Sequence, residues 1–317
     1  MQLQSLQRWM PLIVLAGLCL VIGIIEPRFL TIDNLIRVAA SSAMPLVVAL
    51  GVTFVIVMGS IDLSIEGSLA FSAAVVVSFL SGPAGIGIDL GLFAVVVAII
   101  SAALFGALIG YLHVQMQIPS FMASLGMGFV GIGIATLLLG GERVPVDSEA
   151  IRAIALSRFM NVPFSVYLAF AMFGLAWFIQ NHTVLGRHIM ALGGGEELAA
   201  QNGVNIKRTR ILAFTIAGFY FGTGAVLVSA KLGAASTLIG NGQLFAAISA
   251  VVVGGTALTG GNGGVINTLV GVAIVMVLSN GMIIIGLPTY LQQGVLGAAI
   301  IVAVLLNMHG RTPQLVK

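Results

Sequence analysis

Charge is what this sequence has least of. Of its 317 residues, 13 are Lys or Arg and 10 are Asp or Glu, 7% in all, whereas a soluble globular domain carries about 25%. With a mean hydropathy of +1.15, that scarcity excludes an ordinary water-facing surface. Cysteine is nearly absent as well. The single Cys19 lies in the first apolar run, which excludes a disulfide scaffold and a cysteine-ligated zinc site. The four His, at 113, 182, 188 and 309, are scattered and form no ligand pair. No G-x-x-x-x-G-K-S/T stretch occurs, so the chain holds no phosphate-binding loop of that kind. Gly126-Met127-Gly128-Phe129-Val130-Gly131 spells G-x-G-x-x-G, but inside an apolar run with no strand before it, and a nucleotide fingerprint needs strand, turn and helix. A net charge of +3 rests on too few groups to point to nucleic acid. Nothing forms a Ser/His/Asp constellation, so no catalytic site is expected.

What is present is a series of long charge-free runs. They cover residues 9–25, 38–61, 67–88, 90–141, 159–186, 211–230 and 232–310. A helix needs about 20 apolar residues to cross the hydrocarbon core. The run 90–141 holds two spans, broken at His113 and Pro119. The run 232–310 holds three, broken near Gly260-Gly261 and Pro288. The reading is an all-α polytopic membrane protein of about ten spans. Such runs are too continuous for barrel strands. Forty-one glycines predict a tightly packed bundle, because small residues let helices approach closely in lipid; Gly106, Gly110 and Gly271 fit that use. The compact Lys207-Arg208-x-Arg210 cluster and the basic termini (Arg8, Arg311, Lys317) favour an N-in, C-in orientation. Arg8 precedes an apolar run without a small-residue cleavage pattern, so the first span reads as uncleaved.

Residues 1–317 form a single transmembrane domain on this reading, with two hydrophilic segments long enough to be structured. In the outer loop 140–163, a short helix is expected from Asp147 to Phe159, capped by Asp147 or Ser148, with Ile151, Ile154, Ala155 and Phe159 on one face. In the inner loop 181–210, Gly193 to Gly195 precede Glu196-Glu197, acidic residues that favour a helix's first turn. Asn202-Gly203 then supplies a left-handed stop. A helix so short is unstable alone and must dock on the bundle's end or on a partner.

One polar cluster stands out, Gly59-Ser60-Ile61-Asp62-Leu63-Ser64-Ile65-Glu66-Gly67. Ionisable groups flanked by such apolar sequence tend to be functional, which makes Asp62, Ser64 and Glu66 candidates for a transport path or gate. The plainer reading is a solvated turn in which Asp62 caps the following helix. Gly254-Gly255-Thr256-Ala257-Leu258-Thr259 echoes this stretch, and Ile118-Pro119-Ser120-Phe121-Met122 echoes Leu287-Pro288-Thr289-Tyr290-Leu291. Internal repeats with broken helices are common in transporters.

At these residues the sequence resembles a known family. GSIDLSIEGS (59–68), IPSFMASLGM (118–127), LGRHIMALGGGEELAAQNGVN (185–205) and AISAVVVGGTALTGGNGG (247–264) resemble, in order, stretches of the membrane permease subunits of ribose-type ABC sugar importers. The resemblance spans roughly residues 10–307. It implies a permease subunit in the bacterial inner membrane that forms the path for a small sugar or polyol. It implies a dimer with a second copy or a homologous permease, an ABC ATPase subunit beneath, and a periplasmic sugar-binding protein. ATP and Mg would be bound by the ATPase partner, with no cofactor or metal in this chain and membrane lipid around it. Glu196, Glu197, Leu198, Ala199, Ala200 and Gly203 match the family's coupling segment, which docks on the ATPase. Gln243 and Asn262 join Asp62, Ser64 and Glu66 as candidates for the path. Two departures are visible: Glu66 stands where the family usually has Gly, and Leu244-Phe245-Ala246 stands where it has Glu-Leu-Asp. The alternative is an ion-coupled secondary carrier of a small polar solute. Such a carrier normally needs titratable groups within its spans, and residues 232–310 contain no Asp, Glu, Lys or Arg.

Overall fold

A computed structural model of the chain describes residues 2–80, 85 and 88–308. The basic C-terminal residues Arg311 and Lys317, used above for orientation, lie outside the described residues, as does His309. Helix α1 (Gln2–Ile25) leads through a 3-10 turn at Pro27–Leu30 into α2 (Ile32–Val57). After an irregular stretch come α3 (Ile65–Ser78), α4 (Phe93–Gln115) and α5 (Ser120–Leu139). A surface segment then holds β1 (Val144–Pro145), α6 (Glu149–Leu156) and the hairpin of β2 (Arg158–Phe159) and β3 (Val162–Pro163). It is followed by α7 (Phe164–His182), α8 (Val184–Gly194), α9 (Glu196–Gln201) and α10 (Ile206–Leu232). The chain continues through β4 (Ala234–Ala235), which pairs antiparallel with β1, to α11 (Gln243–Val253), α12 (Val265–Ile284) and α13 (Thr289–Met308).

Among the described residues six helices, α2, α4, α5, α7, α10 and α12, are long and apolar enough to cross a membrane. Apolar stretches at Trp9–Ile25, Ile65–Ser78 and Gln243–Val253 are shorter. The breaks fall where proline and glycine place them. Pro119 immediately precedes α5, Pro288 precedes α13, and residues 254–264 separate α11 from α12. The span expected over 67–88 is shorter than its charge-free run: α3 starts at Ile65 and stops at Ser78. Likewise the stretch before Gly260-Gly261 contains only the 11 residues of α11 as helix. Beyond α3 the sequence runs into Ser81-Gly82-Pro83 and beyond α11 into Gly254-Gly255, breakers that carry no charge and so leave a charge-free run unbroken.

Helices α2 and α10 form the centre, with 78% and 67% of their apolar windows buried. Two glycines, one on each helix, show the close approach of α4 and α10. A Cβ on Gly110 would lie 2.8 Å from the Cα of Ile211, and one on Gly222 would lie 3.0 Å from the Cα of Ile99. No larger side chain fits there, and with little hydrophobic drive between helices in lipid, such packing holds the bundle.

The surface segment differs in detail from the expected helix. Ser148 caps α6 by accepting from the Ile151 amide, and Ile151 and Ala155 are buried. The helix ends at Leu156, so Phe159 is not on its face but exposed on β2. Met160 and Asn161, at φ 48° and 66°, make the two-residue hairpin turn, whose positive φ matches the twist of paired strands.

Candidate functional site: two broken helices and a glycine junction

The segment from Ser60 to Ser64 leaves the helical state inside the bundle. Lipid offers no hydrogen bonds, so buried non-helical backbone must find partners in the protein. Helix α5 supplies them: Ser120 Oγ accepts from the Ile61 amide at 3.2 Å and Ser124 Oγ from the Leu63 amide at 2.9 Å. The Ser60 amide donates to the Val55 carbonyl at 3.0 Å. These serines belong to the stretch 118–127 that resembles the permease family, but sequence reasoning assigned them no role.

Asp62 is 2% exposed, which rules out a solvated turn. One carboxylate oxygen, Oδ1, accepts from the Ser64 amide at 2.8 Å, fixing the corner before α3. The other, Oδ2, is buried without a hydrogen-bond partner among the described residues. Burying half a carboxylate unsatisfied costs stability. Ser64 is also buried, and its hydroxyl lies 3.1 Å from that of Ser68.

Glu66 has a different environment from Asp62, although they are only four residues apart. Its Oε1 accepts from the Gly242 amide at 2.8 Å. Gly242 has φ +77° and is the residue before α11. The carboxylate thus joins the first turn of one short helix to the start of another, where backbone N–H groups favour negative charge. The next residue, Gln243, lines a cavity of about 360 Å³ between α2, α10, α11, α12 and α13, with Ser41, Met44, Lys231, Met276 and Ser279. Glu66→Ala is expected to lower stability by roughly 1–3 kcal/mol, the size of a hydrogen bond to a charged group, whereas Glu66→Gln keeps the acceptor and most of the stability. Thermal midpoints of the purified chain in detergent compare them, and equal midpoints for all three forms would leave the α3–α11 contact without weight.

The second irregular stretch, 254–264, is held by its own hydrogen bonds. Thr256 Oγ1 accepts from the Gly264 amide at 3.1 Å, and the Ala257 amide donates to the Asn262 carbonyl at 3.0 Å. Asn262 itself is exposed. The structure therefore brings Glu66 and Gln243 to one place, buries Asp62 and Ser64 beside α5, and leaves Asn262 exposed on the 254–264 stretch.

The two segments that echo each other in sequence meet. The Gly261 amide donates to the Val57 carbonyl, the last of α2, at 2.9 Å. A Cβ on Gly260 would come within 2.7 Å of the Gly59 nitrogen and 3.0 Å of the Gly193 Cα. Gly193 thus brings the end of α8 into the same junction, against Val57 and Gly261. A further residue that sequence reasoning missed is Gln180 on α7, whose Oε1 accepts from the Val265 amide at 2.7 Å and caps α12. Its only signal was an amide at the end of an apolar run.

Beyond Gly193, only Gly195 separates α8 from α9. Ala199 is buried, while Glu197, Leu198 and Ala200 are exposed, Leu198 at 65%. Glu196 pairs with Arg210 of α10 at 2.7 Å. Gly203, at φ +79°, ends the helix. A two-turn helix is thus held to the bundle by one side and presents the other.

Comparison with known proteins agrees with this architecture. The profile of the family described as branched-chain amino acid transport system/permease component matches residues 34–304. The ribose import permease protein RbsC of Escherichia coli strain K12 is 32% identical over 301 residues, covering 93% of this chain and 92% of that protein. RbsC of Bacillus subtilis strain 168 is 29% identical, covering 95% and 93%. The D-allose transport system permease protein AlsC of Escherichia coli strain K12 is 29% identical, covering 93% and 89%. No solved structure matches the chain. With this coverage, and with several apolar helices built around broken ones, the chain is a multi-pass membrane protein that belongs to the branched-chain amino acid transport system/permease component family, among the ribose-type ABC importer permeases.

Proposed function

We propose that this chain forms the translocation path of an ABC importer for a small sugar or related polyol, in the bacterial inner membrane. The observation that carries this reading is near-full-length similarity to permeases whose names specify ribose and D-allose. The chain crosses the membrane about ten times as one domain, residues 1–317, with both termini in the cytoplasm. The loop 181–210 is then cytoplasmic, and the exposed face of α9 (Glu197, Leu198, Ala200) is where a separate ATPase docks. That ATPase binds ATP and Mg, and this chain has no hydrolytic site or cofactor of its own. The loop 140–163 faces the periplasm and a sugar-binding protein. A second permease, identical or homologous, completes a dimer. Asp62, Ser64 and Glu66 belong to the path or its gate, together with Gln243 beside the cavity; Asn262 lies near the junction.

Physically, a helix that is rigidly fixed to the bundle can carry an ATPase's closing movement into the membrane, where helices rock as rigid units. Purification of the tagged chain from its native membrane in mild detergent, followed by mass spectrometry, tests the assignment. An ATPase chain in stoichiometric amount is the expected result, and a second permease-like chain would make the dimer heteromeric. Recovery of the chain alone, under conditions that keep other importers whole, would overturn it. Uptake of labelled ribose, allose and galactose by cells with and without the gene then identifies the sugar.

A further inference from the structure

We propose that the corner formed by α7 and α8 clasps the 254–264 stretch at two points, and that Gln180 and Gly193 are the positioning residues through which movement of α9 reaches the broken helices. This rests on the reading that α9 docks on an ATPase. At one end of the stretch Gln180 Oε1 holds the Val265 amide at 2.7 Å and Nε2 reaches the Gly263 carbonyl at 3.5 Å. Two residues before Gly263, a Cβ on Gly261 would lie 2.7 Å from both the Gly193 carbonyl oxygen and the Gly194 nitrogen. Between these points the corner is stiff. Thr183 Oγ1 donates to the Ile179 carbonyl and accepts from the Gly186 amide, and Gly186 packs on the backbone of Ile179 and Gln180.

The clasped stretch passes the contact on. The Gly261 amide is bonded to the Val57 carbonyl, and Gly260 lies against Gly59. Two residues past Gly59 begins the segment that α5 holds by Ser120 and Ser124, with Asp62 inside it. Backbone packed on backbone has almost no slack, because no side chain can rotate to absorb a displacement. A shift of α9 is therefore delivered to the end of α2 and to the Asp62 segment rather than lost in side-chain rearrangement. Gly194, the neighbour of Gly193, touches Gly261 only through its backbone nitrogen and has open space around its Cβ position, so a methyl group there leaves the contact unchanged.

The test uses the complete complex, this chain with its copurifying ATPase in nanodiscs, in a Cys19→Ser background with Ile61→Cys as reporter. Ile61 is partly exposed at the start of the bonded segment. ATP is expected to change the rate at which a water-soluble maleimide modifies this cysteine by at least about fivefold, the low end of measured coupling between sites. Gly193→Ala and Gln180→Leu should hydrolyse ATP but lose the change. Gln180→Glu, which keeps the acceptor for the Val265 amide, and Gly194→Ala should retain it. If Gly193→Ala prevents assembly, the Gln180 pair decides, since neither substitution adds bulk to the junction. Persistence of the ATP effect in Gln180→Leu or in an assembled Gly193→Ala complex overturns the clasp, as does a parent complex with active ATPase and no ATP effect. Absence of any ATPase from the parent complex instead overturns the docking reading on which the clasp rests.

Discussion

Glu197→Lys is expected to leave the bundle folded and to reduce uptake at least about tenfold: on the proposed docking Glu197 meets a basic patch of the ATPase, and its reversal sets like charges against each other, which costs several kcal/mol. Glu197 lies in the first turn of α9 and makes no hydrogen bond or ion pair among the described residues. The helix holds to the bundle through buried Ala199 and through the Glu196–Arg210 pair, neither of which the substitution touches. Inside the chain the loss is limited to the favourable placement of an acid at a helix N-terminus, about 0.3–1 kcal/mol. The thermal midpoint and membrane abundance should therefore stay close to those of the parent while uptake and copurification of the ATPase fall. Uptake at the parental rate would remove α9 as the docking element. Glu196→Lys would be a poor substitute for this test, because it also breaks the 2.7 Å contact to Arg210 and mixes folding with docking.

The second large effect is expected at Asp62. In Asp62→Asn the carbonyl oxygen can still accept from the Ser64 amide, so the corner before α3 is kept. The oxygen that has no partner among the described residues, Oδ2, becomes an amide nitrogen. If the carboxylate only shaped the corner, transport would hardly change. We expect instead that the variant assembles normally and transports roughly 30-fold more slowly, the consequence of losing one charge-assisted hydrogen bond of about 2 kcal/mol at a step of the cycle. The reason is energetic: a half-satisfied carboxylate buried in a bundle is costly, and such groups in membrane proteins are kept where they act. Uptake assays at matched membrane abundance read the effect. Parental uptake in Asp62→Asn would reduce Asp62 to a turn-forming residue, and Asp62→Leu, which also loses the Ser64 contact, would then show only a loss of stability.

Much of this architecture is visible in composition. Scarcity of charge determines that the chain lives in a bilayer, because no other solvent accepts such a surface. Pro119 and Pro288 mark helix starts for a local reason, namely a fixed φ and a missing donor, and Gly203 marks a helix end through its left-handed backbone. The short helix at Glu196 is legible for the same kind of reason, since acidic first-turn residues and a glycine stop are local rules. Ser148 likewise announces α6 by capping it.

What the tertiary structure decided concerns residues far apart in sequence. Asp62 and Glu66 look alike in sequence and differ in fate. One is sealed beside α5, while the other reaches Gly242, 176 residues away, a pairing that no local pattern encodes. Gln180 reads as an ordinary end-of-span amide until the N-terminus of α12 is brought to it. The glycines of the junction are equally mute. A glycine in sequence announces permission for close approach, and only the fold determines that Gly59, Gly193, Gly260 and Gly261 use that permission on one another.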